Sequence, residues 1–484
     1  MHVPNSVESK TQSSNAIVFV LAAAGITAAL MQTLVIPLLG QLPVMLDTDA
    51  SNASWVITAT LLVSAVATPV SGRLGDLYGK RRMMLWSAGA LVAGSVVCAV
   101  SSTVVPMIIG RGMQGLGMGL IPLGISVMRD VLPAEKLGTS IALMSASMGV
   151  GGALGLPIAA AVAMYADWRV LFWGSAALAA IIGALIATCI PKTVPVARGK
   201  FDPVGALGLG VALVCLLLGV SKGADWGWGS ARTIGLLAGS VVVFLVWGWY
   251  ELRITAPLVD LRVTARPVVL LTNCASLVLG FGMYAQSLIV PQILQLPAET
   301  GYGLGQDMLQ MGLWMMPGGL MMMAVSPVGA KLSRLKGPKV TLAIGSAIVA
   351  LGYLAAVVLM GSTWGVLAAV AIGSGGVGLA YGAMPALIMG SVPISETASA
   401  NSVNTLMRSM GTSLAGAIVG VVLAQMTVDF GGVSVPSEAG FQTGLFIGAG
   451  VAIAASLIAT FIPTKGSKKA EQLIEKPVEP ALVE

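Results

Sequence analysis

The chain has 484 residues, of which 56% are hydrophobic and only 10% are charged, with a formal net charge of +6. So few ionisable groups cannot coat a soluble protein of this length, and the chain reads as an all-α integral membrane protein solvated by lipid. One histidine, His2, and four isolated cysteines (Cys98, Cys189, Cys215, Cys274) exclude a catalytic triad, a His-ligated metal and a CxxC redox pair, while cations spread through short loops speak against nucleic acid.

In chain order, a polar leader (1–15) carries one lysine and no short apolar core before a cleavage site, and the run 17–39 is long enough to stay as a membrane helix. Further spanning runs fall at 55–75, 83–102, 104–128, 139–164, 169–190, 204–223, 232–250, 268–293, 308–331, 340–360, 363–390, 398–426 and 441–462, making fourteen. With the N-terminus inside, alternate loops and the tail collect twenty-one Lys and Arg, against Arg169, Lys222 and Arg232 on the other side. That bias predicts both termini in the cytoplasm. The tail, 464–484, is short, charged and proline-bearing, and is expected to be disordered.

The runs repeat. Gln32-Thr-Leu-Val-Ile-Pro37 returns as Gln286-Ser-Leu-Ile-Val-Pro291, Ile109-Gly110-Arg111-Gly112 as Ile372-Gly373-Ser374-Gly375, Ser147-Met148-Gly149 as Ser409-Met410-Gly411, and Pro69-Val70 as Pro327-Val328. The offsets of 254, 263, 262 and 258 residues make spans 1–6 recur as spans 9–14, with 7 and 8 inserted. This divides the chain into an N-terminal six-helix bundle (16–191), linkers with the inserted spans (192–266) and a C-terminal six-helix bundle (267–463). Parallel halves of this kind place a substrate site at their interface and permit alternating access by rocking.

Gly72-Arg73-Leu-Gly-Asp76-Leu-Tyr-Gly79-Lys80-Arg81-Arg82 joins spans 2 and 3. The glycines permit a tight turn, Asp76 can accept hydrogen bonds from basic groups or helix N-terminal amides, and the cations anchor the loop at anionic headgroups. Gly72, Arg73, Asp76, Gly79 and Arg81 are candidates for a conformational latch between the halves, whereas Lys80 and Arg82 read as setters of topology. The second copy has Arg334 where Asp76 would fall, so any latch is asymmetric. The loop resembles the signature loop of the major facilitator superfamily. With Ser54-Trp55, Arg111-Gly-Met-Gln114-Gly115 and fourteen spans, the chain is similar to the superfamily's drug:proton antiporter-2 branch over nearly its whole length. The resemblance implies the major facilitator fold, two six-helix bundles plus two inserted helices, and proton-coupled export.

Arg111 lies inside span 4, where a cation is costly; it either faces the bundle interior with Gln114 in support or snorkels to the surface. The resemblance ties it to proton coupling. Gly149, Gly151, Gly155 and Pro157 in span 5 resemble the family's antiporter motif with one residue inserted before proline, and suit bending, sealing or close packing. Where many relatives carry a buried aspartate in span 1, this chain aligns Met31. No carboxylate falls in mid-span: Asp130, Glu251 and Asp307 stand at span ends and read as interfacial, which leaves Asp76 or Asp307 for the proton. Candidate cavity residues are Gln32 and Gln286 at equivalent positions, Tyr284, Trp314, Met315, Asn404 and Arg408. Interhelical bonding for the glutamines and snorkelling for Arg408 stay open as alternatives.

The sequence is thus read as a monomeric, proton-driven exporter of lipophilic or amphipathic toxic compounds, neutral or monocationic, conferring resistance. Its setting is the bacterial cytoplasmic membrane and its lipids, with no cofactor beyond the proton gradient and no metal. A narrow transporter of one metabolite or lipid is the alternative. A non-transporting sensor or scaffold lacks the soluble domain it would need, and an intramembrane enzyme lacks its nucleophile and metal constellation.

Overall fold

The computed structural model describes residues 6–463 except 39–41, 49, 54, 193, 194, 196–198 and 432. The first five leader residues and the tail 464–484 lie outside the described residues. Within lipid every backbone polar group must be paired internally, so each apolar run of about twenty residues becomes a helix. Fourteen described helices are long and apolar enough to cross a membrane.

The first six are α1 (Ser6–Thr33), α2 (Trp55–Tyr78), α3 (Lys80–Val100), α4 (Val104–Val131), α5 (Ala134–Tyr165) and α6 (Arg169–Cys189). A tighter turn at Gly117–Gly119 interrupts α4. An inserted pair follows, α7 (Pro203–Trp226) and α8 (Ala231–Glu251). The last six are α9 (Pro267–Gln295), α10 (Met308–Lys336), α11 (Pro338–Leu359), α12 (Thr363–Met389), α13 (Thr397–Gln425) and α14 (Glu438–Thr460). A small antiparallel hairpin, β1 (Thr427–Phe430) and β2 (Val433–Pro436), joins α13 to α14.

Local chemistry sets the starts. Asp202, Ser230, Asp307, Ser362 and Ser437 accept hydrogen bonds from first-turn amides, and Pro203, Pro267 and Pro338 sit in first turns where the missing N–H costs nothing. The first helix departs from the reading 17–39. It already runs through the leader from Ser6 and stops at Thr33, because the Pro37 ring crowds the carbonyl four residues back and offers no N–H.

The packing repeats with the sequence. α1 packs on α5 as α9 does on α13, α3 on α6 as α11 on α14, and α2 on α4 as α10 on α12. Each set encloses its own apolar core, including Met84, Leu91, Leu123 and Met144 in the first and Leu279, Tyr353, Phe441 and Leu445 in the second. The sets meet along α5 with α10 and α12, and along α13 with α2 and α4. α7 packs on α8 and also touches α2 and α13, so the inserted pair leans on both bundles from outside. The α2–α3 turn and most lysines and arginines lie at one end, referred to as the cationic face.

Candidate functional site

At the cationic face the last turn of α2 meets the first turn of α13. Asp76, fully buried, accepts hydrogen bonds from the Ser399 N–H at 2.9 Å and the Ala398 N–H at 3.3 Å. Those amides are unpaired donors at the positive end of the helix dipole, so a carboxylate is favoured there. Gly72 makes the approach possible: a Cβ there would meet the Ala398 carbonyl oxygen at 2.8 Å and collide with the Ser402 side chain. Gly79, at φ 99°, supplies the left-handed turn that L side chains resist. Arg129 at the end of α4 adds a second crossing, donating to Thr397 Oγ1 and, at 3.5 Å, to the Val392 carbonyl.

Two loop cations depart from their expected roles. Lys80, read as a setter of topology, is 1% exposed and donates to Asp130 Oδ2 at 2.7 Å while standing 3.9 Å from Asp76. Its ammonium finds its counter-charges within the first bundle, and Asp130 is an ion-pair partner as well as an interfacial acid. Arg81 donates to the Ala187 carbonyl at the end of α6 and so braces the first bundle internally. Arg73 is buried and lines a separate polar pocket of about 180 Å³ with Asp260, Glu396 and Ser399.

Arg111 faces the interior of the first bundle and is 1% exposed. Its guanidinium donates to the Met31 carbonyl at 2.8 Å, Gln114 Oε1 at 2.6 Å and the Val56 carbonyl at 3.3 Å, and Gln114 passes the network to Ser95 Oγ at 2.8 Å. The cation therefore ties α4 to α1 and α2 through backbone oxygens and, by way of Gln114, to α3, with no carboxylate among its hydrogen-bond partners.

The α5 glycines serve two seams. A Cβ on Gly151 would meet Ala29 Cβ at 2.7 Å and Leu30 N at 2.9 Å, and one on Gly155 would strike Thr33, so both faces are pressed on α1. Gly149 and Pro157 face α10, where Gly319 and Gly312 give the matching clearance; a Cβ on Gly312 would lie 2.9 Å from Pro157 Cα. Backbones meeting this closely gain dispersion contact without needing a polar bond.

Between the bundles lies a nearly closed cavity of about 10 Å³, about the room of a single water. Ile121 and Ile125 of α4, Ser145 and Met148 of α5, Tyr381 and Pro385 of α12, and Asn401, Asn404, Thr405 and Arg408 of α13 line it. Asn404 donates to Asn273 Oδ1 at 3.0 Å and Ser276 Oγ at 2.6 Å on α9. Of the cavity candidates, Asn404 and Arg408 line this space, and Arg408 points inward over the Tyr381 ring rather than snorkelling.

The other candidates lie elsewhere in this conformation. Gln32 is half-buried on α1, Gln286 approaches Gly373 of α12, and Tyr284 approaches Gly416 of α13. Trp314 stacks edge-on against the exposed Trp364, donating to Gln306 Oε1 at 2.8 Å, and Met315 packs with Val290, Leu294 and Val366. None of these five lines the cavity between the bundles. Asp307 is exposed and committed to a reciprocal capping box with Gln310, at 2.7 and 3.1 Å.

Glu251, expected at an interface with water, is 2% exposed beside Asp202, itself 7% exposed. A Cβ on Gly205 would strike an oxygen of each, so Gly205 is what lets the two acids share one niche. A carboxylate at the negative end of a helix dipole is locally unfavourable, and Glu251 at the end of α8 carried that signal in the sequence. Tyr381, Met148 and Ser145 were not singled out as cavity residues, since nothing in their own spans marks them.

A family model described as Major Facilitator Superfamily matches residues 21–416. An uncharacterized MFS-type transporter of Mycobacterium tuberculosis is 30% identical over 332 residues, 68% of this chain and 47% of that protein, so the matched region is about half of the relative's length. Multidrug resistance protein 3 of Bacillus subtilis is 23% identical over 426 residues, covering 86% and 81% of the two chains. The solved proton:xylose symporter XylE superposes with a TM-score of 0.65 at 14% identity, over 96% of this chain and 99% of that one.

Proposed function

This chain belongs to the major facilitator superfamily and is a multi-pass membrane transporter, not an enzyme; from that premise we propose that it exports lipophilic or amphipathic toxic compounds by alternating access, driven by the proton gradient. The observation that carries the reading is Asp76 bonded across the bundle interface to the α13 amides, beside a cavity lined from both bundles. Breaking that contact lets the bundles part at the cationic face, while the glycine seam of α5 and α10 acts as the pivot. The loop charge bias supports a cytoplasmic position for the cationic face and both termini in a bacterial cell. The cavity is complete within one chain, in keeping with a working monomer.

Asp76 is the acid whose protonation is tied to the gate, because a neutral carboxyl loses most of its attraction for the α13 dipole and for Lys80. Asp307 is taken up by its cap, and Arg111 with Gln114 keeps the first bundle rigid while the latch changes. The names of the multidrug-resistance relatives support drugs as cargo. Cells expressing the protein are expected to accumulate less of a lipophilic dye than cells expressing Asp76→Asn, and a protonophore is expected to abolish the difference. Equal accumulation across a broad compound panel overturns the export reading, and competition by one compound alone favours a narrow transporter.

A further inference from the structure

The cavity between the bundles holds one charge, and it is positive. Arg408 is 7% exposed, its guanidinium carbon lies 4.8 Å from the Tyr381 ring centre, and Nη2 reaches only Thr405 Oγ1 at 3.4 Å and Met148 Sδ at 3.7 Å. Both contacts are uncharged and long. No Asp or Glu is among the residues lining the cavity, and no described ion pair includes Arg408. Two other polar atoms at the cavity lack hydrogen-bond partners, Ser145 Oγ on α5 and Asn401 Oδ1 on α13, in side chains 4% and 1% exposed.

A buried cation without a counter-charge is an incomplete arrangement, and stacking on a ring face leaves guanidinium edge N–H groups for a planar oxyanion. The Ser145 hydroxyl, reaching in from the opposite bundle, offers one more donor. We propose that the cavity selects amphipathic organic anions, a flat apolar body against Ile121, Ile125 and Met148 with a carboxylate or sulfonate on Arg408 and Ser145. The proposal rests on the export reading above and narrows its cargo. The absence of a mid-span carboxylate suggested neutral or monocationic compounds from sequence; with Arg408 turned inward, the same absence favours negative charge. An anion also leaves a negative-inside cell with the field, so its export does not call for a carboxylate that releases a cation. In the closed conformation the space is too small for such a molecule, and opening of the Asp76 latch admits it.

The test uses the full-length protein in proteoliposomes and three probes that share one fluorophore: dansylate (anionic), dansylamide (neutral) and dansylcholine (cationic). Wild-type protein is expected to transport dansylate at least about tenfold faster than dansylcholine, and Arg408→Gln to lower the dansylate-to-dansylamide ratio by about tenfold or more. Arg408→Lys keeps the charge and is expected to hold that ratio within about threefold. Dansylcholine matching dansylate in the wild type overturns the proposal without reliance on any variant, as does an unchanged ratio in Arg408→Gln. Transport of dansylamide without dansylate overturns it while leaving export standing. Transport of none of the three overturns the export reading, and this one falls with it.

Discussion

Asp76→Asn keeps the shape of the latch and removes its charge. In the closed state the carboxylate takes two amide hydrogen bonds, at 2.9 and 3.3 Å, from the start of α13, and sits 3.9 Å from Lys80 Nζ. An asparagine retains one acceptor and turns an NH₂ toward a donor, so one charge-assisted bond goes, worth about 1.5–3 kcal/mol. Roughly 0.3–1 kcal/mol of dipole attraction goes with it. Both contacts exist only while α2 and α13 touch, so the loss falls on the closed state alone. About 2–4 kcal/mol lowers the closed-to-open ratio between about thirtyfold and several hundredfold. Labels at Tyr78→Cys and Ile394→Cys, both exposed and both at the cationic face, report the gap by energy transfer once Cys98, Cys189, Cys215 and Cys274 are replaced. The short-distance population should dominate in the parent and become the minority in Asp76→Asn, with export falling in parallel. A folded Asp76→Asn protein with an unchanged distance distribution would refute the latch.

Three further perturbations separate structural from transport roles. Arg111→Met strips a donor from Gln114 and from the Met31 and Val56 carbonyls and should cost about 3 kcal/mol or more, read as a large drop in melting temperature in detergent. Gly151→Val forces side-chain atoms into Ile26, Ala29 and Leu30 of α1 and should abolish transport and lower the yield of folded protein, whereas Gly89→Ala, with open space at its Cβ, should match the wild type in both. Asp307→Ala loses a capping box, about 1 kcal/mol, and should leave proton-coupled flux intact; loss of proton flux in a stable Asp307→Ala protein would move the coupling role from Asp76 to the opposite end of the molecule.

Spans were legible in the sequence because lipid enforces a single solution on any long apolar run. The first span was misjudged at its C-terminal end, since hydropathy carries through Pro37 whereas the regular helix stops at Thr33 and gives way to turns. Asp76 stood out as an acid with no topological purpose. Lys80 did not, because a lysine in a loop between spans looks identical whether it meets headgroups or a carboxylate fifty positions away. The cavity was the least legible part. Arg408 acquires its direction from Tyr381 on a neighbouring helix and Met148 in the other bundle, and both relations depend on how separate helices cross. Glu251 shows the same limit: its burial is fixed by Gly205 and Asp202, which stand on the preceding helix of the inserted pair.

The duplication and its defects together bear on how the gate can work. The two bundles share their helix pairings, yet the acid that bonds across at Asp76 is replaced in the second copy by Arg334, which is exposed, and the buried Arg111 by Ser374. Apolar packing has therefore been kept in both copies while the polar contact has been kept in one. A second copy of the latch would add a further 2–4 kcal/mol or so to the closed state, and from an otherwise even balance the open state would then form only about once in 10³ to 10⁶ molecules. A transporter must visit both states to turn over, so one switchable polar contact set against an uncharged glycine seam holds the equilibrium within reach of a single proton or a single cargo molecule. On this argument, restoring symmetry with Arg334→Asp, and so supplying a carboxylate toward the start of α5, should slow turnover even if folding and binding are untouched; an unchanged transport rate would show that closure is not what limits the cycle.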